Sequence, residues 1–381
     1  MRFALRNFRG VAPNNIDAFR KGGALPHVRR HSRGHHPLLR AVNSPLLSVF
    51  LSLLTAYCLL PTALASNGAW QRQRTSSMAW LHSVFFLDQN RGWVVGSRGT
   101  LLATTDGGTN WRSLSRPTED TIRDIYFADE SNGIIVCERN IYDLKSNDEP
   151  RAYLMSTADS GEQWKRVDMR GVDLNARIMR AIFTGAGRGW AFGEAGTIYT
   201  THDMGGTWTR LQAPTRYLLL GGDFIDESNG WLVGAGATIL QTSDGGESWQ
   251  HARLPPTTNV RFNSTSFVEK RLGWAVGSDG AIYRTLNGGR SWQSQNSGVE
   301  NDLYDVKFLD AAEGWAVGAE GVVLHTTDGG AHWTSERSET NNTLERLFFS
   351  DSTHGWAVGF GGTIIAFSTS DNRSLAPRLR Q

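Results

Sequence analysis

Cysteine is almost missing from this chain: Cys58 and Cys137 are the only two in 381 residues. Cys58 falls inside an apolar export-type segment, so one thiol is left in the body. An internal disulfide is then excluded, and stability has to come from packing even in an oxidising compartment. Proline is modest at 11 residues, which excludes a collagen-like or proline-rich chain. A large charge of one sign is lacking too. The formal net charge is +2, and even that is misleading. Nine of the 39 basic residues and one acid, Asp17, lie in residues 1–44, and none of either in 45–65. The remaining 30 bases and 36 acids give residues 66–381 a net of −6, which excludes nucleic-acid binding by bulk charge.

Long apolar runs are lacking except for one. Residues 46–60 form a 15-residue apolar run behind the basic stretch. Pro61 breaks it, and Ala63-Leu64-Ala65 forms a small-x-small site before Ser66. Basic lead, apolar core and A-x-A site describe a secretory signal, and the run is short of the roughly 20 residues of a membrane span. The expectation is a basic prefix and cleaved signal over 1–65, an exported body over 66–381, and a short tail over 370–381. Arg29-Arg30 is a twin arginine, but His31-Ser32-Arg33 does not continue that export pattern. Thr55-Ala56-Tyr57 departs from a lipoprotein box before Cys58, because Tyr57 is bulky.

Helical periodicity is absent beyond residue 70, and a repeat stands in its place. Each unit reads apolar-x-Phe, a polar loop, G-W-x-V-G, a short loop, G-T-apolar-apolar, then T-x-D-x-G-x-x-W. The G-W column holds Trp93, Ile134, Trp190, Trp231, Trp274, Trp315 and Trp356, spaced 41, 56, 41, 43, 41 and 41 residues apart. Short strands between glycine punctuators at such a period are the signature of propeller blades. The seventh unit ends at Ser368-Thr369-Ser370 without a Trp-led fourth strand. Trp70 lies 14 residues before Val84, as Trp111 lies 14 before Ile125, so the strand at Trp70 supplies the missing piece. Closing the ring this way removes two open edges. The fold class expected is therefore all-β: a seven-bladed β-propeller of four-stranded antiparallel blades, repeats over about 70–369. Twelve of the 14 tryptophans occupy the two repeat columns, Trp70 closes the ring, and Trp80 alone stands outside the scheme.

The turn T-x-D-x-G-x-x-W is an Asp box, with Asp106, Asp159, Asp203, Asp244, Asn287 and Asp328 in its polar position. Six such residues in six blades cannot converge on one substrate. Short polar side chains that bond their own backbone are turn formers, and Asn287 suits that role as well as Asp does. A structural role is expected, with the G-W tryptophans as core. The mature histidines, His82, His202, His251, His325, His332 and His354, sit in different blades without metal spacing. No phosphate loop, dinucleotide fingerprint or G-x-S-x-G elbow occurs, so no cofactor or metal is expected.

What differs between blades is more telling. His82, Arg123, Arg177, Arg180, Arg261 and Arg346 lie at or just before the innermost strands, and Arg98 lies in a second-to-third strand loop. A propeller places these loops on the face opposite the Asp boxes. The insertion over residues 138–151, with Ile141, Tyr142 and Leu144, falls on the same side. Arginine and aromatic residues are favoured at interface hot spots. The five residues expected to contact a partner are Arg98, Arg123, Arg180, Arg261 and Arg346. The competing reading pairs these cations with Asp124, Asp302, Asp305, Glu320 and Glu345 as a solvated surface.

The units resemble bacterial neuraminidase repeats, and more closely the photosystem II stability/assembly factor family of cyanobacteria and chloroplasts. The resemblance covers about 70–369. Its most telling stretch is Gly230-Trp231-Leu232-Val233-Gly234, then Ala237-Thr238-Ile239-Leu240-Gln241-Thr242, Asp244-Gly245-Gly246 and Trp249, with Arg261-Phe262-Asn263-Ser264 continuing it. The stretch Leu303-Tyr304-Asp305-Val306-Lys307-Phe308 is similar to the family's last blades. This resemblance implies a seven-bladed propeller in the thylakoid lumen or periplasm without enzymatic activity; a monomer, peripheral to the membrane at most, is expected. It implies binding of a membrane-protein precursor through an arginine-rich face: a photosystem II precursor in a photosynthetic host, another envelope protein elsewhere. Arg261 carries over directly, Arg123 and Arg180 by column. The alternative is an Asp-box glycoside hydrolase. That would need a carboxylate pair such as Asp302 or Asp305 with Glu320, and a tyrosine such as Tyr304 or Tyr217 beside an acid. No N-terminal Arg-Ile-Pro signature of sialidases is present.

Overall fold

The computed structural model describes residues 68–369, apart from positions 145, 147 and 186. The signal and prefix, Cys58 and the tail over 370–381 lie outside the described residues. Seven sheets follow one another along the chain. Blade one shows the plan: an inner strand Leu81–Phe86, a second strand Gly92–Gly96, a third Leu101–Thr104 and a short outer strand Arg112–Ser113. They pair in that order, all antiparallel. The second strands are buried throughout, since blades pack on both sides of them. Blade seven closes as expected: Gly68–Arg72 pairs antiparallel with Ile364–Thr369, Trp70 opposite Phe367.

Neighbouring blades are joined by one recurring contact. The G-W tryptophan stacks on the last phenylalanine of the next blade's inner strand. The pairs are Trp93–Phe127, Trp190–Phe224, Trp231–Phe267, Trp274–Phe308 and Trp356–Phe86, with centroids 3.4–3.8 Å apart. The indole N–H then donates to a carbonyl of the next Asp-box turn: Trp190 to Gly245, Trp231 to Gly288, Trp274 to Gly329 and Trp356 to Gly107, at 2.8–3.0 Å. Those four glycines have φ of 69–75°, the left-handed region that aims the carbonyl back at the preceding blade. Trp315 instead stacks on His325 at 3.7 Å, with Trp70 edge-on at 5.7 Å.

Two features go beyond the repeat plan. Asp168–Arg170 adds a fifth strand to blade three, parallel to its outer strand Thr207–Leu211. Every inner strand also carries a β-bulge near its start, after its first residue or, in blade two, its second, from Leu81/Ser83 to Leu344/Arg346. A bulge adds one residue and redirects the side chains around it. Cys137 is fully buried in blade two, and burial pushes its thiol far above the ordinary range.

Trp70 is buried against Trp315, Phe349 and Phe367. Trp70→Ala should lower unfolding stability by about 3–5 kcal/mol, read as a shift in denaturant midpoint. Trp80→Ala, at a side chain 44% exposed, should change it by no more than about 0.5 kcal/mol.

Candidate functional site

The Asp boxes form one face of the ring together with the first-to-second strand loops, as the bond from Gly107 N–H to Asn90 O shows. The opposite face is made by the loops entering each inner strand and the second-to-third strand loops, joined for example by Gly99 N–H to Asp120 O.

On the Asp-box face each carboxylate is spent on its own turn. Thr242 Oγ1 donates to Asp244 Oδ1 and accepts from Gly246 N–H, while Asp244 also accepts from Ser248 N–H and Ser248 Oγ. Asn287 Oδ1 accepts in the same way from Thr285 Oγ1 and Ser291 N–H, while its Nδ2 donates to Ser291 Oγ, the reverse of the Ser248–Asp244 bond. The Ser248 hydroxyl and N–H hold the Asp244 carboxyl down at about 2. These are turn residues, and their indirect task is to present the carbonyl that receives the neighbouring indole.

The sequence-derived arginines divide into three groups on and below the other face. Arg180 and Arg346 follow the bulge and turn into the central channel. Arg180, from blade three, reaches Ser264 of blade five at 3.4 Å and Asp305 of blade six at 3.7 Å, so it crosses the ring. Arg346 approaches the other oxygen of Asp305 at 4.0 Å. Burial, and then the charge of Arg346, push the Arg180 guanidinium below its ordinary value. Asp305 is itself held by Ser264 Oγ and by Leu347 N–H, and Asp124 likewise by Ser83 Oγ and Ala181 N–H. These carboxylates tie successive inner strands together, which leaves Asp305 no role as a free acid.

Arg123 occupies the bulge itself and meets the blade-two insertion. Its Nε lies 2.5 Å from Glu138, which Arg151 and Arg177 also approach at 3.6 and 3.7 Å. Glu194 takes Arg177 at 2.6 Å and Arg151 at 3.3 Å. Beside them Arg139 pairs with Asp120 at 3.7 Å and lies over the Tyr153 ring at 4.8 Å. Four arginines meet three carboxylates here, so the cluster is largely self-neutralised with one cation in excess.

Arg261 and Arg98 form the third, outward-facing group. Arg261 is about half exposed and pairs with Asp302 at 2.8 Å. Arg98 is exposed at φ 56° and has no ion pair among the described residues. Glu345 pairs with His82 at 3.0 Å, and Glu320 accepts from Asn301. Most of these cations are therefore paired, while Arg98 and part of Arg261 face solvent.

Trp80 and Phe360, exposed on this face, were not among the residues expected to contact a partner. Trp80 contacts Phe360 edge-on at 5.6 Å and stacks on His82 at 5.6 Å. Met78 and Phe360 are exposed beside it; Tyr217 and, in the insertion, Ile141 and Tyr142 are exposed in other blades. Trp80 N–H donates to Ser97 Oγ, which places Arg98 next to this patch. The available signal was that Trp80 fits neither tryptophan column.

This architecture defines a closed seven-bladed Asp-box β-propeller. The chain belongs to the family described as photosynthesis system II assembly factor YCF48, whose model matches residues 62–115, 109–217, 207–298 and 290–374. Among curated proteins it is 29% identical over 154 residues to the photosystem II assembly lipoprotein Ycf48 of Synechococcus sp. (strain CC9902), covering 39% of this chain and 41% of that protein. The chain thus aligns with under half the length of that relative. Two solved structures share the fold: YCF48 from Cyanidioschyzon merolae, with TM-score 0.65 and 18% identity over 79% of this chain and 99% of that one, and YCF48 bound to D1 peptide, with TM-score 0.66 and 20% identity over 81% and 99%. Enzymes also share it, among them the GH74 xyloglucanase from Xanthomonas campestris, with TM-score 0.62 and 11% identity over 78% of this chain and 53% of that one.

Because Asn287 does in blade five what Asp does elsewhere, Asp244→Asn should fold normally. A lowered carboxyl stabilises the fold above its unfolded pKa and loses that contribution as pH falls through the folded one. Any stability advantage of the native chain over Asp244→Asn should therefore be present above about pH 4 and disappear towards pH 2, measured by denaturant titration across that range.

Proposed function

We propose that this chain is a non-catalytic, exported assembly factor that holds a membrane-protein precursor on the face opposite its Asp boxes. Where the host carries photosystem II the partner is a precursor of its core, and the D1 peptide of the related YCF48 structure supports that reading. In a host without one, the partner is another envelope membrane protein. The observation that carries the proposal is the grouping of Trp80, Phe360 and Met78 with unpaired Arg98 on one face. Buried aromatic and arginine anchors supply most of the energy of protein interfaces, and a ring this well packed has no fold requirement for an exposed tryptophan. Arg261 extends the same face. Arg123, Arg180 and Arg346 act below it, holding the insertion and the channel in shape.

The chain is peripheral to the membrane and monomeric in this reading, with residues 1–65 delivering it to the lumen or periplasm. Its curated relatives carry the name lipoprotein, whereas the A-x-A site here favours cleavage before Ser66. Mass spectrometry of the mature N-terminus should find Ser66; a lipidated Cys58 would replace the signal with an anchor.

The binding test is affinity capture from solubilised thylakoid or envelope membranes. Combined Trp80→Ala, Phe360→Ala and Arg98→Ala substitutions should cut precursor recovery by tenfold or more, as about 1.4 kcal/mol corresponds to each factor of ten. Unchanged recovery by the folded triple variant would remove this face from the proposal.

A further inference from the structure

Blade two breaks the rule that joins the blades. Ile134 stands where the other second strands have tryptophan, so no second-strand indole covers Phe183 here; Trp208, from blade three's own turn, meets it only edge-on at 5.7 Å. The Cδ1 of Ile134 approaches Gly205 at the place where the Trp190 and Trp231 indole nitrogens approach Gly246 and Gly289. An isoleucine fills only part of that space.

The consequences are local. Phe183, the ring that an indole would cover, stays partly exposed, whereas Phe86, Phe127, Phe224, Phe267 and Phe308 are buried. Tyr126 leans over it instead, at 4.5 Å and 14°. A cavity of about 610 Å³ remains between the two blades on the Asp-box face, walled by Tyr126, Ile134, Ser156, Phe183 and Met204 with Gln163 beside them. Met204 occupies the turn position of Gly107, Gly245, Gly288 and Gly329 and shares their positive φ, at 58°. In those four turns the carbonyl at this position accepts an indole N–H.

We propose that this slot binds a tryptophan side chain presented by a partner polypeptide, which supplies the ring that blade two lacks. The choice of indole follows from the other interfaces of the same ring, where an indole satisfies equivalent walls and an equivalent carbonyl. The choice of a polypeptide follows from size. The cavity lies in the range that takes whole small ligands, with room for the residues flanking one indole, and Asn132, Gln163 and Lys165 offer polar groups along it. The slot lies on the face opposite the Trp80 patch, so it is a second contact, independent of the assembly reading.

The test is methyl NMR of the full mature chain, following Ile134 Cδ1 and Met204 Cε. The probes are the blocked tripeptides Ala-Trp-Ala and Ala-Leu-Ala, and free indole. Both methyls should show saturable ring-current shifts with the tryptophan peptide in about the millimolar range, where a single anchor of a few kcal/mol binds. Ile134→Trp should abolish the Met204 shift by filling the slot from within, and Ser156→Phe, opposite Ile134 in register, should abolish both shifts from the third strand. A folded protein by circular dichroism qualifies either variant, so loss of one still leaves the other. The proposal is overturned by absent shifts, by an equal response to the leucine peptide, by shifts that survive in a folded filled variant, or by free indole binding more tightly than the peptide. The Trp80, Phe360 and Arg98 substitutions should leave these shifts unchanged, which separates failure here from failure of the assembly proposal.

Discussion

The ring depends on one contact, recurring at five of its seven joints: an indole laid flat on the next blade's phenylalanine, at four of them with its N–H bonded to the next blade's turn. Stacking supplies apolar burial, and the hydrogen bond satisfies the one polar atom of a buried tryptophan. This ties together two sequence columns that look unrelated. The Asp box needs its polar residue to bond its own backbone, its glycine to take positive φ, and the resulting carbonyl to face backward. The motif that most resembles a set of acids is half of a blade-to-blade joint.

A ring closed on its perimeter still leaves polar backbone and side chains to settle along the inner strands. The bulge repeated in all seven does this. It moves one column of side chains toward the face and the following column toward the axis. Asp124 and Asp305 then link neighbouring inner strands, and Arg180 spans the axis to reach blades five and six. Such buried charge is costly unless matched, and here each carboxylate has a hydroxyl or a backbone N–H as well as a cation nearby. The charged groups along the inner strands are consequently part of the scaffold.

This division explains what could be read from the residues alone. Blade number, closure through Trp70 and the role of the Asp boxes follow from spacing, because each repeats and neighbours in sequence are neighbours in space. The fate of the arginines does not repeat. Arg180 finds Ser264 84 positions away, and Arg123, the bulge residue of its strand, turns to Glu138 at the end of the neighbouring strand. The bulge compounds this, since one extra residue decides whether a side chain points along the axis or across the face. Arg98, whose position in a short loop leaves no such choice, is the arginine whose exposure was most directly legible.

Departures from the repeat are therefore where individuality has to be sought, and they are few. Trp80 is a tryptophan without a column; Ile134 is a column without its tryptophan. The first puts an apolar ring in water on one face. The second leaves an aromatic wall uncovered on the other, next to the insertion-bearing blade. A closed ring tolerates one weakened joint because its neighbours are held on both sides and the backbone ladder of blade two is intact. Relaxing the joint at Ile134 costs the ring one stacked pair while opening a site shaped by the rules of its own assembly, and a partner that obeys those rules can complete it.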